Sequence, residues 1–109
     1  MQSRAAIRYA KAVYEIAYDE NSVNEVFNDM SLVKKLNGSS TDFKTLLSNS
    51  QINSRDKKNA ILSLIDNHNL LTIKLLDLLI FNKRVSIVGD IATSFIQLYN
   101  KHNNIKEAL

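Results

Sequence analysis

The residues able to do chemistry are few in this chain and stand far apart. The two histidines, His68 and His102, each sit in an asparagine-rich breaker with no second ligand at helical spacing. A zinc or similar site needs three or four converging ligands, so both read as solvated loop side chains. The carboxylates are dispersed as well. Asp19 and Glu20 close one helical stretch, and Glu25 and Asp29 stand four apart on what reads as a polar face. That is the pattern of a solvated surface, not of a general acid/base pair. Cysteine is absent, which excludes disulfides, thiolate catalysis and cysteine-ligated metals, and fits a reducing compartment. Gly38 and Gly89 stand alone, so there is no phosphate-cradling loop. No serine lies in a nucleophile elbow. The four tyrosines fall in helical stretches without the interleaved basic residues of a base-stacking surface. The reading is a binding module with no catalytic, metal-ligating or cofactor-holding residues, and not an enzyme.

The elements that carry these residues follow from composition and periodicity. A chain of 109 residues makes one domain with a modest core. It has no proline and only two glycines, so few positions force a break, and helices are favoured. The net charge of +3 comes from scattered lysines and arginines, whereas a nucleic-acid surface concentrates them. The most apolar run, "LLTIKLLDLLIF" (Leu70–Phe81), is interrupted by Lys74 and Asp77 and falls short of the roughly 18 residues of a membrane span. The start, "MQSRAAIRYA", lacks the apolar stretch of a signal peptide. No direct membrane insertion is expected.

The fold class expected is all-α, a six-helix bundle, since no period-2 run bounded by turns is found. The first helix covers Arg4–Tyr18. The second follows Ser22, where "SVNE" has the form of a capping box between Ser22 and Glu25; Val23, Val26, Phe27, Met30 and Val33 then recur at helical spacing. Gly38, in "NGSS", is expected to end it in a left-handed conformation. A short third helix, Asp42–Leu47, precedes a polar stretch. The fourth, Ser54–Asn67, begins on a serine cap and presents Ala60, Ile61, Leu64 and Ile65. "NHN" breaks it. The fifth runs Leu70–Asn82, and the sixth Ser86–Lys101, with Ile87, Ile91, Phe95, Ile96, Leu98 and Tyr99. The tail "HNNIKEAL" has no turn or cap, and reads as the start of a linker in a longer protein.

Two of these helices carry more apolar surface than one core contact needs. At about 100° per residue, Arg4, Arg8, Lys11, Glu15 and Asp19 of the first helix fall within an arc of roughly 80°. Everything else through Tyr18 is Ala, Ile, Val or Tyr. One flank of the charged strip holds Ala5, Tyr9, Ala12 and Ile16. The other holds Ile7, Ala10, Tyr14 and Ala17, with Val13 between the two. On the fifth helix Lys74, Asp77 and Phe81 share a narrow strip, and all else but Thr72 and Asn82 is Leu or Ile. A helix apolar on nearly all sides is either central in its bundle or lines a groove open to a partner helix. In the second case Ala10, Val13, Tyr14 and Ala17 face the core, and Ala12 stays partly exposed beside Leu78.

The same residues carry a resemblance to a family. "RYAKAVYEIA" (Arg8–Ala17) resembles the "YAKALFELA"-type N-terminal signature of the ATP synthase delta subunit family, called OSCP in mitochondria. "SVNEVFNDM" (Ser22–Met30) is similar to the family's second helix, and "FKTLLSNSQINSRDKKNAI" (Phe43–Ile61) to its segment where one helix leaves off and the next restarts on a polar cap. "LLDLLIFNKRVSIVGDIATSFIQLYNKHNNI" (Leu75–Ile105) resembles its "L…L..NxR…L..I...F..L" region. The ordered set over the whole chain carries the weight, since each stretch alone is ordinary bundle core. The family's C-terminal domain has no counterpart here. The resemblance therefore implies a six-helix N-terminal domain over residues 1–104, and in residues 105–109 the start of a linker to a further domain.

The resemblance also implies a function: a non-catalytic stator component of the proton-translocating ATP synthase, without cofactor. The N-terminal helix of an alpha subunit would lie in a groove between the first and fifth helices. The b subunits of the peripheral stalk would be gripped by the C-terminal domain. The family's groove positions fall on Tyr9, Ala12 and Leu78; the helical wheels add Ala5, Ile16, Leu71 and Leu75, with Arg8 and Lys74 at the rims. The place implied is the cytoplasmic face of a bacterial cell membrane, as a peripheral subunit, in preference to a mitochondrion or chloroplast. Two other readings are a small helical RNA-binding module of the transcription-antitermination type, against which the dispersed charge speaks, and a six-helix interaction domain of the death-domain kind.

Overall fold

The computed structural model describes residues 3–65 and 69–103. Six α-helices follow one another: α1 Arg4–Asp19, α2 Val23–Ser39, α3 Thr41–Ser48, α4 Ser54–Leu64, α5 Leu70–Phe81 and α6 Val88–His102. A single 3-10 turn, Val85–Ile87, leads into α6. No strand occurs among the described residues. The all-α bundle is as expected, with helix ends shifted by a residue or two. The exception is α4, which closes at Leu64 instead of reaching Asn67; Asn67, His68 and residues 105–109, expected to begin a linker, lie outside the described residues.

The core forms where α6 packs against α1 and α2. Phe95, Ile91, Met30, Ile61, Leu76 and Leu79 are fully buried in it. Small residues bring the backbones together: Ala6, Ala10 and Ala17 of α1 and Ala92 of α6 are all sealed from water. Tyr14 fills the seam between α1 and α6, its ring tilted against Phe95 at 5.3 Å and stacked on His102 at 4.9 Å. His102, expected as a solvated loop side chain, is exposed, but it is the last residue of α6 and an aromatic partner. Along the antiparallel pair α2 and α6, Phe27 stacks on Tyr99 at 4.0 Å at one end. At the other end Gly89 meets the Asn37 amide so closely that a Cβ would lie 2.3 Å from it.

The helix ends correct three expectations. Ser22 precedes α2, but its hydroxyl caps nothing and is buried without a partner. The cause lies one residue earlier. Asn21 adopts a left-handed φ of 57°, and the Ser22 N–H closes back onto the Ala17 carbonyl at 2.8 Å. This six-to-one closure ends α1. It leaves Ser22 at φ −120°, ψ 18°, outside the extended geometry that a capping serine uses. Gly38 is not a left-handed stop: no glycine has positive φ, and α2 runs through it to Ser39. Lys83 takes that conformation instead, φ 59°, with the Arg84 N–H donating to the Leu79 carbonyl at 2.7 Å. Finally, α4 is capped by Asn53, not Ser54; the Asn53 Oδ1 accepts from the Asp56 N–H at 2.9 Å.

A fourth correction concerns Asp29, expected on a solvated face. It is 1% exposed. Its Oδ2 accepts from the Thr72 hydroxyl at 2.6 Å and from the Asn69 N–H at 2.7 Å. A carboxylate on α2 thus receives one orphan backbone N–H and one side-chain hydroxyl at the start of α5, where the helix dipole also favours negative charge.

Candidate partner-binding groove

The groove is built from one helix used twice. Ala6, Ala10, Val13, Tyr14 and Ala17 of α1 are buried in the core. The other flank, rotated toward α5, is left uncovered: Ala12 and Ile16 are exposed, and Ala5 and Tyr9 half-buried. Helix α5 lies antiparallel to α1 along this flank, so that Tyr9 and Ala12 come beside Asn82 and Leu78, and Ile16 beside Leu70, Leu71 and Lys74.

Two depressions follow the seam. One, of about 560 Å³, is lined by Arg8, Tyr9, Ala12, Leu78, Asn82 and Arg84. The other, of about 300 Å³, is lined chiefly by Ile16, Glu20, Asn69, Leu70, Leu71 and Lys74. Ile16 at 45% and Leu78 at 46% exposure face each other's helix yet leave room between them. This is what an unfilled apolar seam looks like. Its two ends are held in different ways. At one end the Asn82 amide donates to the Tyr9 hydroxyl at 2.7 Å, tying α1 to the residue that closes α5. At the other, Asp29 and the Asn69 side chain, which accepts from the Leu71 N–H at 2.8 Å, fix the first turn of α5. On the back of α5, Asp77 pairs with Lys58 of α4 at 2.6 Å.

The nine residues expected at the groove divide by depth. Tyr9, Ala12, Ile16, Leu78, Arg8 and Lys74 line the two depressions, and Leu71 lines the smaller one although it is only 8% exposed. Leu75, 3% exposed, is core and lines neither depression; Ala5 lies on the same flank, half-buried, beyond the lining. Six lining residues lie outside that set: Asn82 and Arg84 at one end, and Glu20, Ser22, Asn69 and Leu70 at the other. Asn82 and Arg84 lie past the end of α5, and only the left-handed turn at Lys83 shows that the chain folds back toward α1 there.

Other hollows offer less. One of about 460 Å³ lies over the α1–α6 seam beside Tyr14, Tyr18 and His102. Burial there raises the Tyr14 phenol above its ordinary value, with Tyr18 and Tyr99 adding smaller pushes in the same direction. Another, of about 650 Å³, lies between the α3–α4 loop and the 3-10 turn; Lys57 there already donates to the Leu47 carbonyl at 3.2 Å. Among the described residues no three histidines or carboxylates converge as a metal site would require. No described helix is long and apolar enough to cross a membrane.

Comparison with known proteins places this geometry in context. The family model described as ATP synthase delta (OSCP) subunit matches residues 5–109. The ATP synthase subunit delta of Flavobacterium psychrophilum is 42% identical over 97% of this chain and 60% of its own length. That of Christiangramia forsetii is 35% identical over 98% of this chain and 58% of its own. A sodium-ion-specific ATP synthase subunit delta of Ilyobacter tartaricus is 24% identical over 96% of this chain and 60% of its own. The chain thus spans about three fifths of the length of these relatives. With a family model matched over nearly its entire length, the chain belongs to the ATP synthase delta (OSCP) subunit family.

Proposed function

We propose that this chain is the head-binding part of an ATP synthase stator, and that the α1–α5 groove receives the N-terminal helix of an alpha subunit. The observation that carries the reading is the open seam: Ala12, Ile16 and Leu78 are exposed along two antiparallel helices that each also bury a separate apolar face in the core. An amphipathic helix lying there would bury its own anchors against these side chains. Each buried Leu or Ile would contribute about 1.5–3 kcal/mol of gross burial, less the cost of ordering and docking. Ala12 keeps the floor of the seam low enough for close helix approach.

The role is mechanical. The groove side holds the catalytic head, while the remainder of the full-length protein would hold the b subunits of the peripheral stalk, so that the head resists turning with the rotor. No bond is made or broken, no cofactor enters, and neither nucleic acid nor direct membrane insertion is involved. The protein would sit as a peripheral subunit at the cytoplasmic face of a bacterial membrane. The test is a titration of this domain, isotopically labelled, with a synthetic peptide of the alpha subunit's N-terminal segment from the same genome. Binding near one to one, with amide shifts along Tyr9, Ala12, Ile16, Leu71 and Leu78, is expected. Shifts confined to α2 and α3, or no binding, would overturn the assignment.

A further inference from the structure

The charges along the groove are arranged by end, and against the interest of the helix that carries most of them. Helix α1 has Arg4, Arg8 and Lys11 in its first half and Glu15 and Asp19 in its second, with Glu20 as its C-cap. Its first turn holds no acid and its last turn no base. A helix is stabilised by the opposite arrangement, acids at the N-terminus and bases at the C-terminus. Local stability therefore does not account for the order of these charges.

The fold adds to the same polarity. The left-handed turn at Lys83 brings Arg84 back beside Arg8, and both line the Tyr9–Asn82 end of the groove. No carboxylate lines that end, and among the described residues neither arginine has an ion-pair partner. The far end is lined by Glu20 together with Lys74. One end of the seam is thus doubly cationic and the other is close to neutral with an acid in it.

We infer that Arg8 and Arg84 form a carboxylate-binding clamp that sets the direction of the docked helix. An Asp or Glu in the C-terminal half of the incoming helix lies between the two guanidinium groups, and its N-terminal half lies near Glu20. The helix then runs antiparallel to α1 and parallel to α5. Guanidinium groups suit this role because each can offer two parallel donors to a carboxylate. The negative end of the incoming helix's dipole falls at the same place, so charge and dipole specify one direction while the apolar floor alone specifies none. This rests on the groove being the alpha-subunit site.

The experiment uses the same alpha-subunit N-terminal peptide with a nitroxide at either terminus, and the variants Arg8→Glu and Arg84→Glu. A C-terminal nitroxide should broaden the amide signals of Tyr9 and Asn82, and an N-terminal one those of Glu20 and Leu71. Each charge reversal should weaken binding about 10-fold or more, steeply relieved by salt. Exchanging the peptide's C-terminal-half acid for lysine should restore most of the affinity of Arg84→Glu. The reversed broadening pattern overturns the inference, as does a peptide without an acid in that half, or variants that bind like the wild type. If the peptide binds and only these results fail, the clamp is wrong and the groove stands. If the peptide does not bind, both fall.

Discussion

Helix α1 makes two seams, and they differ in how far they are closed. Toward α6 it presents Ala6, Ala10, Val13, Tyr14 and Ala17, all buried, with Tyr14 locked between Phe95 and His102. Toward α5 it presents Ala5, Tyr9, Ala12 and Ile16, and the space between them and Leu78 is left open. The two flanks are alike in composition: small residues, a tyrosine and a β-branched residue. Apolar character is therefore not what separates core from groove on this helix. What separates them is whether the facing helix comes close enough to exclude water. Helix α5 is tied to α1 through the Tyr9–Asn82 bond at one end and to α2 through Asp29 at the other.

That contrast can be broken most forcefully in the closed seam. Phe95→Ala removes a side chain that is fully buried beneath Tyr14. It should cost about 3–5 kcal/mol, seen as a large fall in the urea midpoint. Next comes the hold on α5. Asp29→Ala strands the Thr72 hydroxyl and the Asn69 N–H, and should cost about 2–4 kcal/mol. Hydrogen exchange should then accelerate first in the opening turn of α5, ahead of α1 and α6. A uniform loss across all helices would mean that Asp29 does not act on α5 in particular.

Smaller effects sharpen the picture. Lys83→Gly relieves a left-handed lysine, φ 59°, and should stabilise by about 1 kcal/mol; the same change at Asn21 should bring less, since asparagine tolerates that conformation. An equal or greater gain at Asn21 would deny the strain assigned to Lys83. The smallest effect is one of pH. Burial raises the Tyr14 phenol in the folded state, so the folded chain keeps a proton that the unfolded chain gives up. Stability is then full below the ordinary tyrosine range and falls as pH rises through it. Tyr14→Phe should flatten that alkaline fall; an unchanged slope would place the cause elsewhere.

How much of this was legible beforehand depended on whether the deciding contact was local. The six helices followed from 3.6-residue periodicity, and the two flanks of α1 from the narrowness of its charged strip. The wheel supplies an angle but no depth, which is why Leu75 and Leu78, three apart on α5, were expected alike, and one is core while the other is exposed. Asp29 has the character of polar surface, yet it lies on the stripe of Val26, Met30 and Val33. That position was the available signal; its partners at Asn69 and Thr72 lie some forty residues on. Residue type points to Gly38 for a left-handed stop, whereas the chain uses Asn21 and Lys83. Arg84 was missed for the same reason, because its place at the groove depends on the turn at Lys83.

The central claim is that the flank of α1 bearing Ala12 is built for another chain, and the flank bearing Ala10 for this one. It is tested most directly by titrating the alpha-subunit N-terminal peptide into Ala12→Asp, with urea unfolding of Ala12→Asp and Ala10→Asp run alongside. The account predicts that Ala10→Asp, which buries an unpaired charge, fails to fold. It predicts that Ala12→Asp unfolds within about 0.5 kcal/mol of the wild type and no longer binds the peptide. Undiminished binding by Ala12→Asp, or a loss of stability matching that of Ala10→Asp, would contradict it.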